Sequence, residues 1–240
     1  MPQLIVALDV PDREKALGMA RELRGVLDWC KVGMELFTLG GPLLVERLKE
    51  QGFHVFLDLK FYDIPHTVAR AVAAAASIGV DLLTLHCQGG ERMCRAALEA
   101  RDAAARASSA PRLFGVTVLT SFGPGEMPGV TANPGVFAHE LASAAAAWGL
   151  DGVVCSGHEV RAIKASAPAL RCLCPGIRPG GTDAGDQRRT MTPAEAVRAG
   201  AEYLVVGRPI LQADAPARAA AAILEEMKAA PLPPSPAGTR

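Results

Sequence analysis

The sequence predicts a (β/α)8 barrel folded as a single domain, and three observations predict it. Short apolar runs alternate with amphipathic or loop segments along the whole chain, the pattern of a parallel sheet whose crossovers are helices. Eight such runs fit within 240 residues, which is the repeat number and length of a closed α/β barrel. The unusual charges that interrupt the runs fall at their C-terminal ends, where barrels of this class carry their chemistry. A doubly wound open sheet is the alternative with the same alternation.

The first run, Leu4–Asp9, begins directly after Met1-Pro2, so no signal peptide is expected. The others are Cys30–Met34, Val55–Lys60, Leu82–His86, Leu113–Thr120, Gly152–Ser156, Arg171–Gly176 and Tyr203–Gly207. Alanine-rich amphipathic stretches lie between them: Arg13–Leu27, Leu43–Gln51, Thr67–Ile78, Arg92–Ala107, Phe137–Trp148 and Pro216–Lys228. One further helix start is marked by Thr192-Pro193-Ala194-Glu195, with a cap residue, proline in the first turn and glutamate at the reciprocal position; Gly200 should end it. Residues 1–230 therefore read as the barrel domain, and the Pro-rich Pro231–Arg240 as a disordered tail.

Half of the residues are hydrophobic and the formal net charge is zero. That composition supports one well-buried core. It supplies no global field to attract nucleic acid or an anionic membrane, so an anionic substrate would need a local site. No apolar run is long enough for a membrane helix. The six cysteines, Cys30, Cys87, Cys94, Cys155, Cys172 and Cys174, lie mostly in strand-like runs with no C-x-x-C. They read as reduced, buried thiols of a cytoplasmic protein. His54, His66, His86, His139 and His158 show no metal-ligand spacing, so no zinc site is expected, and they read as structural or surface residues.

The chemistry concentrates in Phe56-Leu57-Asp58-Leu59-Lys60-Phe61-Tyr62-Asp63-Ile64-Pro65. Asp58 and Lys60 are two apart on a buried strand and should point to one side. Asp63 follows the strand, where a loop could swing it back toward them. An acid, a base and a second acid at a strand terminus make a candidate for proton transfer without a metal. A satisfied buried ion pair would look the same, though such pairs are costly to maintain. Asp9 could instead cap a helix starting near Pro11, and Lys31 could be a structural ion-pair partner. Thr120 and Ser121 alone would pass as turn residues. Gly207-Arg208 ends the eighth run, at the usual phosphate cradle of these barrels; a surface ion pair is the plainer explanation of Arg208. Pro179–Met191, rich in Gly, Asp and Arg, reads as a lid over the barrel mouth or as plain disorder, and Gln187 within it could reach a ligand.

These motifs together resemble the orotidine 5'-monophosphate decarboxylase family. The resemblance runs nearly end to end: Ala7-Leu8-Asp9, Lys31 to Phe37, Asp58-x-Lys60-x-x-Asp63-Ile64-Pro65, Leu119-Thr120-Ser121, Pro175 to Pro179 and Val205 to Ile210. It implies a barrel enzyme of pyrimidine biosynthesis that makes UMP without a cofactor or metal and works as a homodimer. Lys60 would protonate C6 of the pyrimidine, in an alternating charge network with Asp58 and Lys31. Asp63 would be supplied across the dimer interface, beside the substrate carboxylate. Asp9 and Lys31 would bind the ribose, helped by Thr67 of the neighbouring subunit, and Thr120 would contact the pyrimidine. Gln187, Gly207 and Arg208 would hold the phosphate, with Arg178 near the lid. Tyr62 and His66 depart from the commoner His and Asn.

The related 3-keto-gulonate 6-phosphate decarboxylases and hexulose-phosphate synthases share the D-x-K-x-x-D cluster but normally use Mg²⁺. The Leu119-Thr120-Ser121 turn and the Arg178–Gln187 segment point away from them. A non-catalytic nucleotide-binding barrel would predict a broken charge set, whereas Asp9, Lys31, Asp58, Lys60 and Asp63 are all present.

Overall fold

The computed structural model describes residues 1–104, 110–180 and 189–231. Eight parallel strands close into a barrel in sequence order: β1 (Gln3–Ala7), β2 (Trp29–Gly33), β3 (His54–Phe61), β4 (Leu82–His86), β5 (Arg112–Val116), β6 (Gly152–Val154), β7 (Arg171–Cys174) and β8 (Tyr203–Val206). Closure is made by β8 against β1, from Gln3 opposite Tyr203 to Val6 opposite Val206. The open doubly wound sheet is thereby excluded. The surrounding helices are α1 (Arg13–Leu23), α2 (Met34–Glu50), α3 (Pro65–Ser77), α4 (Gly90–Ala104), α5 (Pro134–Trp148), α6 (Val160–Ser166), α7 (Pro193–Ala199), α8 (Arg208–Leu211) and α9 (Pro216–Ala229).

Alternation along each strand sorts side chains into two cores. Leu4, Val6, Val32, Val55, Leu57, Leu83 and Leu204 face outward and pack under the helices. Ile5, Trp29, Phe56, Leu82, Phe114, Leu173, Tyr203 and Val205 fill the barrel itself. Trp29 and Phe114 each meet the Tyr203 ring edge-on at 5.6 Å, which closes the floor with rigid aromatic packing. One step further along the strands the inward positions turn polar: Lys31, Asp58 and Thr84 are all buried.

Several boundaries differ from the sequence expectation. The stretch Leu43–Gln51 is only the second half of α2, which starts at Met34 directly after its strand. Gly41, at φ 57° and ψ −157°, and Pro42 break the helix into two segments; those same residues hid its first half. The first strand stops at Ala7, leaving Asp9 beyond it. Helix α1 is capped by Asp12, whose carboxylate accepts from the Lys15 N–H at 2.8 Å, so the expected alternative of Asp9 as cap fails. The fifth strand ends at Val116 rather than Thr120, because its partner β6 ends at Val154, whose carbonyl accepts from both the N–H and the hydroxyl of Thr117. Helix α7 matches its expected signals: Thr192 and Glu195 form the capping box, and Gly200 ends the helix at φ 103°.

All six cysteines are free and buried. Burial pushes the thiols of Cys30, Cys87 and Cys94 well above their ordinary range, which leaves them inert as nucleophiles. Among the described residues no helix is long and apolar enough to cross a membrane.

Candidate active site

The C-terminal mouth of the barrel holds a cavity of about 640 Å³. Asp9, Lys31, Asp58, Lys60, Thr120, Arg178, Gly207 and Arg208 all line it. Its polar wall is an alternating chain of charge. Lys31 Nζ lies 2.8 Å from Asp9 Oδ1 and 3.8 Å from Asp58 Oδ2. The same Asp58 oxygen accepts from Lys60 Nζ at 2.8 Å. Two anions and two cations in sequence are neutral overall, which lowers the cost of burial relative to any lone member.

Strand geometry explains why the four meet. Lys31 on β2 is in register with Phe56 on β3, and Gly33 with Asp58, so the lysine and the aspartate sit diagonally on one inward face. Gly33 is required there: a Cβ at that position would stand 2.9 Å from Lys31 Nζ and 3.2 Å from Asp9 Oδ1. Lys60 reaches the network by a different route. Its φ is 50°, the single positive value outside glycine among the described residues. The pairing of β3 with β4 shifts between Leu57 and Phe61, and this irregularity turns the Lys60 side chain into the mouth.

The rest of the wall comes from loops. The turn after β5 brings Val118, Thr120 and Ser121 to the cavity, and the loop after β7 brings Arg178. Arg178 is buried and donates to the Ile177 carbonyl at 2.9 Å. The two stems of the 179–191 segment are tied together, since the Arg178 N–H donates to the Met191 carbonyl at 2.9 Å. Gly207 and Arg208 stand where β8 passes into α8, separated from β3 by β1 and β2. The cavity is therefore acidic and basic by turns along one side, with a guanidinium at the other end.

Some expected residues lie elsewhere. Asp63 does not swing back into the cavity of its own chain. It is exposed, and its carboxylate accepts from the adjacent Ile64 N–H at 2.7 Å, because Pro65 starts α3 immediately and draws the chain away from the mouth. Thr67 is exposed on the first turn of α3 and also does not line the cavity. Gln187 and most of the expected 179–191 lid lie outside the described residues, as do residues 232–240 of the tail.

Three contributors were not expected from sequence. The Thr84 hydroxyl bonds both Lys60 and Asp58. His86, read as structural or surface, is near the network: burial first, and then the neighbouring Lys60 cation, hold its imidazole below the usual range and so favour the neutral ring. Arg189 pairs with the buried Glu159 carboxylate and reaches the carbonyls of Val118 and Leu119 at 3.4 and 3.2 Å, which braces the turn that carries Thr120. Burial is the main influence raising the Glu159 carboxyl, with Arg189 opposing it. None of the three belongs to a short motif, so only the folded chain shows them together. Among the described residues no group of three or more His, Cys, Asp and Glu side chains could hold a metal ion.

Residues 2–223 match the Orotidine 5'-phosphate decarboxylase / HUMPS family. An orotidine 5'-phosphate decarboxylase of Nitratidesulfovibrio vulgaris is 55% identical over 232 residues, covering 95% of this chain and 99% of that protein. The enzyme of the same name from Lawsonia intracellularis is 50% identical over 217 residues, covering 90% and 95% of the two chains. The crystal structure of orotidine 5'-phosphate decarboxylase from Lactobacillus acidophilus superposes with a TM-score of 0.85 at 34% identity, over 95% of this chain and 100% of that one. With the barrel, the mouth cavity and near-complete coverage in agreement, the chain belongs to the orotidine 5'-phosphate decarboxylase / HUMPS family.

Proposed function

We propose that this chain decarboxylates orotidine 5'-phosphate to UMP and CO2, with Lys60 as the proton donor to C6. The observation that carries the reading is the unbroken series Asp9–Lys31–Asp58–Lys60 facing one cavity that also contains Arg208. The shared name of the relatives favours this substrate over the sugar phosphates of the wider family.

In the proposed reaction the C6–carboxylate bond breaks and its electron pair stays on C6 as CO2 leaves. The Lys60 ammonium stabilises that charge and then gives C6 its proton, and solvent restores the ammonium. Asp58 holds the ammonium in place, and Lys31 pairs with the same carboxylate oxygen. Asp9 and Lys31 take the ribose hydroxyls, Thr120 the pyrimidine, and Gly207 with Arg208 the phosphate, alongside Arg178. Gln187 is assigned to the phosphate by resemblance alone. Binding energy from the remote phosphate can be expressed in the transition state and so lower the barrier at C6.

The reading includes a homodimer that supplies Asp63 and Thr67 to the partner's cavity. In its favour, both are exposed where β3 passes into α3, beside the exposed apolar side chains of Tyr62 and Ile64, which are 60% and 66% accessible. A dimer interface at this place would cover those side chains. It also includes operation in the cytoplasm with no metal or organic cofactor.

Loss of orotidine 5'-phosphate absorbance tests the activity. Turnover should persist in excess EDTA, whereas strict dependence on added Mg²⁺ would favour the sugar-phosphate branch. Arg208→Ala should weaken UMP binding by about 10- to 100-fold, the worth of a charge-assisted contact, and leave uridine binding nearly unchanged in calorimetric titration. Equal losses for both ligands would remove the phosphate role.

A further inference from the structure

Thr84 lies fully buried on β4, and its side chain cannot be reached by solvent. Its surroundings are set by the irregular pairing of β3. Leu57 opposes Leu83, and the next pair is Phe61 with Leu85. Asp58, Leu59 and Lys60 therefore share a space on β4 that Thr84 alone occupies. Regular pairing is lost there, and the Lys60 N–H donates to Thr84 Oγ1 at 3.0 Å. The same hydroxyl donates its proton to Asp58 Oδ1 at 2.9 Å. Asp58 Oδ2 is thereby left to Lys60 Nζ at 2.8 Å and Lys31 Nζ at 3.8 Å.

One hydroxyl thus holds the main chain of one member of the charge network and the carboxylate of the next. The main-chain bond matters because Lys60 is in the left-handed region at φ 50°. A lysine adopts that conformation only when its surroundings over-determine it. The side-chain bond matters because a carboxylate with one oxygen pinned presents the other in a fixed direction. We infer that Thr84 is a positioning residue: its hydroxyl fixes the Lys60 backbone and the Asp58 carboxylate together, and so sets where the Lys60 ammonium stands in the cavity. The inference rests on the reading of Lys60 as the proton donor. Valine fills the same volume without either bond, and serine keeps both bonds without the methyl group.

The test is steady-state turnover of orotidine 5'-phosphate, with UMP titrated in parallel, by Thr84→Val and Thr84→Ser. Thr84→Val should lose about 10- to 100-fold in kcat, the cost of a small misplacement of a reacting group. Its KM and UMP affinity should stay within about 3-fold, since the hydroxyl contacts no ligand-facing group other than the network. Thr84→Ser should recover kcat to within about 5-fold of the parent. If Thr84→Val does not unfold cooperatively, Thr84→Ala carries the same expectation. Unchanged kcat in the hydroxyl-free variants would overturn the inference. So would a parallel loss of kcat and UMP binding, or a loss that serine does not repair. Full activity in Lys60→Ala would instead remove the underlying reading, which separates the two failures.

Discussion

Lys60→Ala should abolish decarboxylation while the barrel stays folded. The lysine is asked to do two things: neutralise charge developing on C6 and deliver the proton. Preorganised charge and general-acid catalysis together are worth about 10⁴-fold or more. Stability should change little. Asp58 would keep its bond from Thr84 and its pairing with Lys31, so no buried anion is stranded. The ammonium itself faces the open cavity, so little packing is lost. Circular dichroism and thermal unfolding would check the fold, and UMP titration would check that the pocket still binds. Near-normal turnover with an intact fold would refute the assignment of Lys60.

Asp58→Asn should be damaging in a second way. Asp58 is the hinge of the network, contacted by Lys60, Lys31 and Thr84 at 2.8, 3.8 and 2.9 Å. Removing its charge leaves two ammonium groups side by side with no anion between them. Breaking a buried pair from one end costs about 3–5 kcal/mol. The low end applies here, because Lys60 is a quarter exposed and water can screen part of the repulsion. Turnover should fall by about 10²- to 10³-fold as the lysine leaves its position. Chemical denaturation would read the first effect and steady-state kinetics the second. A variant as stable and as active as the parent would show that the network neither holds the site together nor serves the chemistry.

Much of the architecture was legible in the sequence, because strand and helix periods differ and each run was long enough to show its own. The eight strands fall within a few residues of the expected runs, and the cap signals around Thr192 and Gly200 gave α7 both of its ends. Boundaries were hardest where one residue type has two uses. Gly41 and Pro42 usually stop a helix; in α2 they interrupt it, and a second helical segment follows at once. The apolar run continued past Val116, the last paired residue, because β6 itself ends at Val154, whose carbonyl takes both the N–H and the hydroxyl of Thr117.

The charge chain was legible for the same reason. Asp58 and Lys60 stand out in an apolar strand, Lys31 stands out in the strand beside it, and Asp9 follows the end of β1. Their approach depends on things that residue spacing does not encode. Simple alternation would have put Asp58 and Lys60 on one side through a flat strand. In the structure Lys60 arrives through a left-handed residue and a register shift. Thr84 and His86 sit two apart on β4 and Arg189 lies in the segment before α7, and each looks ordinary in its own stretch of sequence. Asp63 shows the converse. Its spacing promised a third charge in the cavity, but the start of α3 at Pro65 carries it to the outside of its own chain.

The most direct measurement is hydrogen exchange at C6 of bound UMP in D2O, followed by proton NMR. By microscopic reversibility the group that protonates the C6 carbanion must also remove that proton, with no CO2 involved. The parent protein should replace the C6 hydrogen with deuterium, and Lys60→Ala, saturated with UMP, should not. Equal exchange rates in the two proteins would contradict the claim that Lys60 handles the proton at C6.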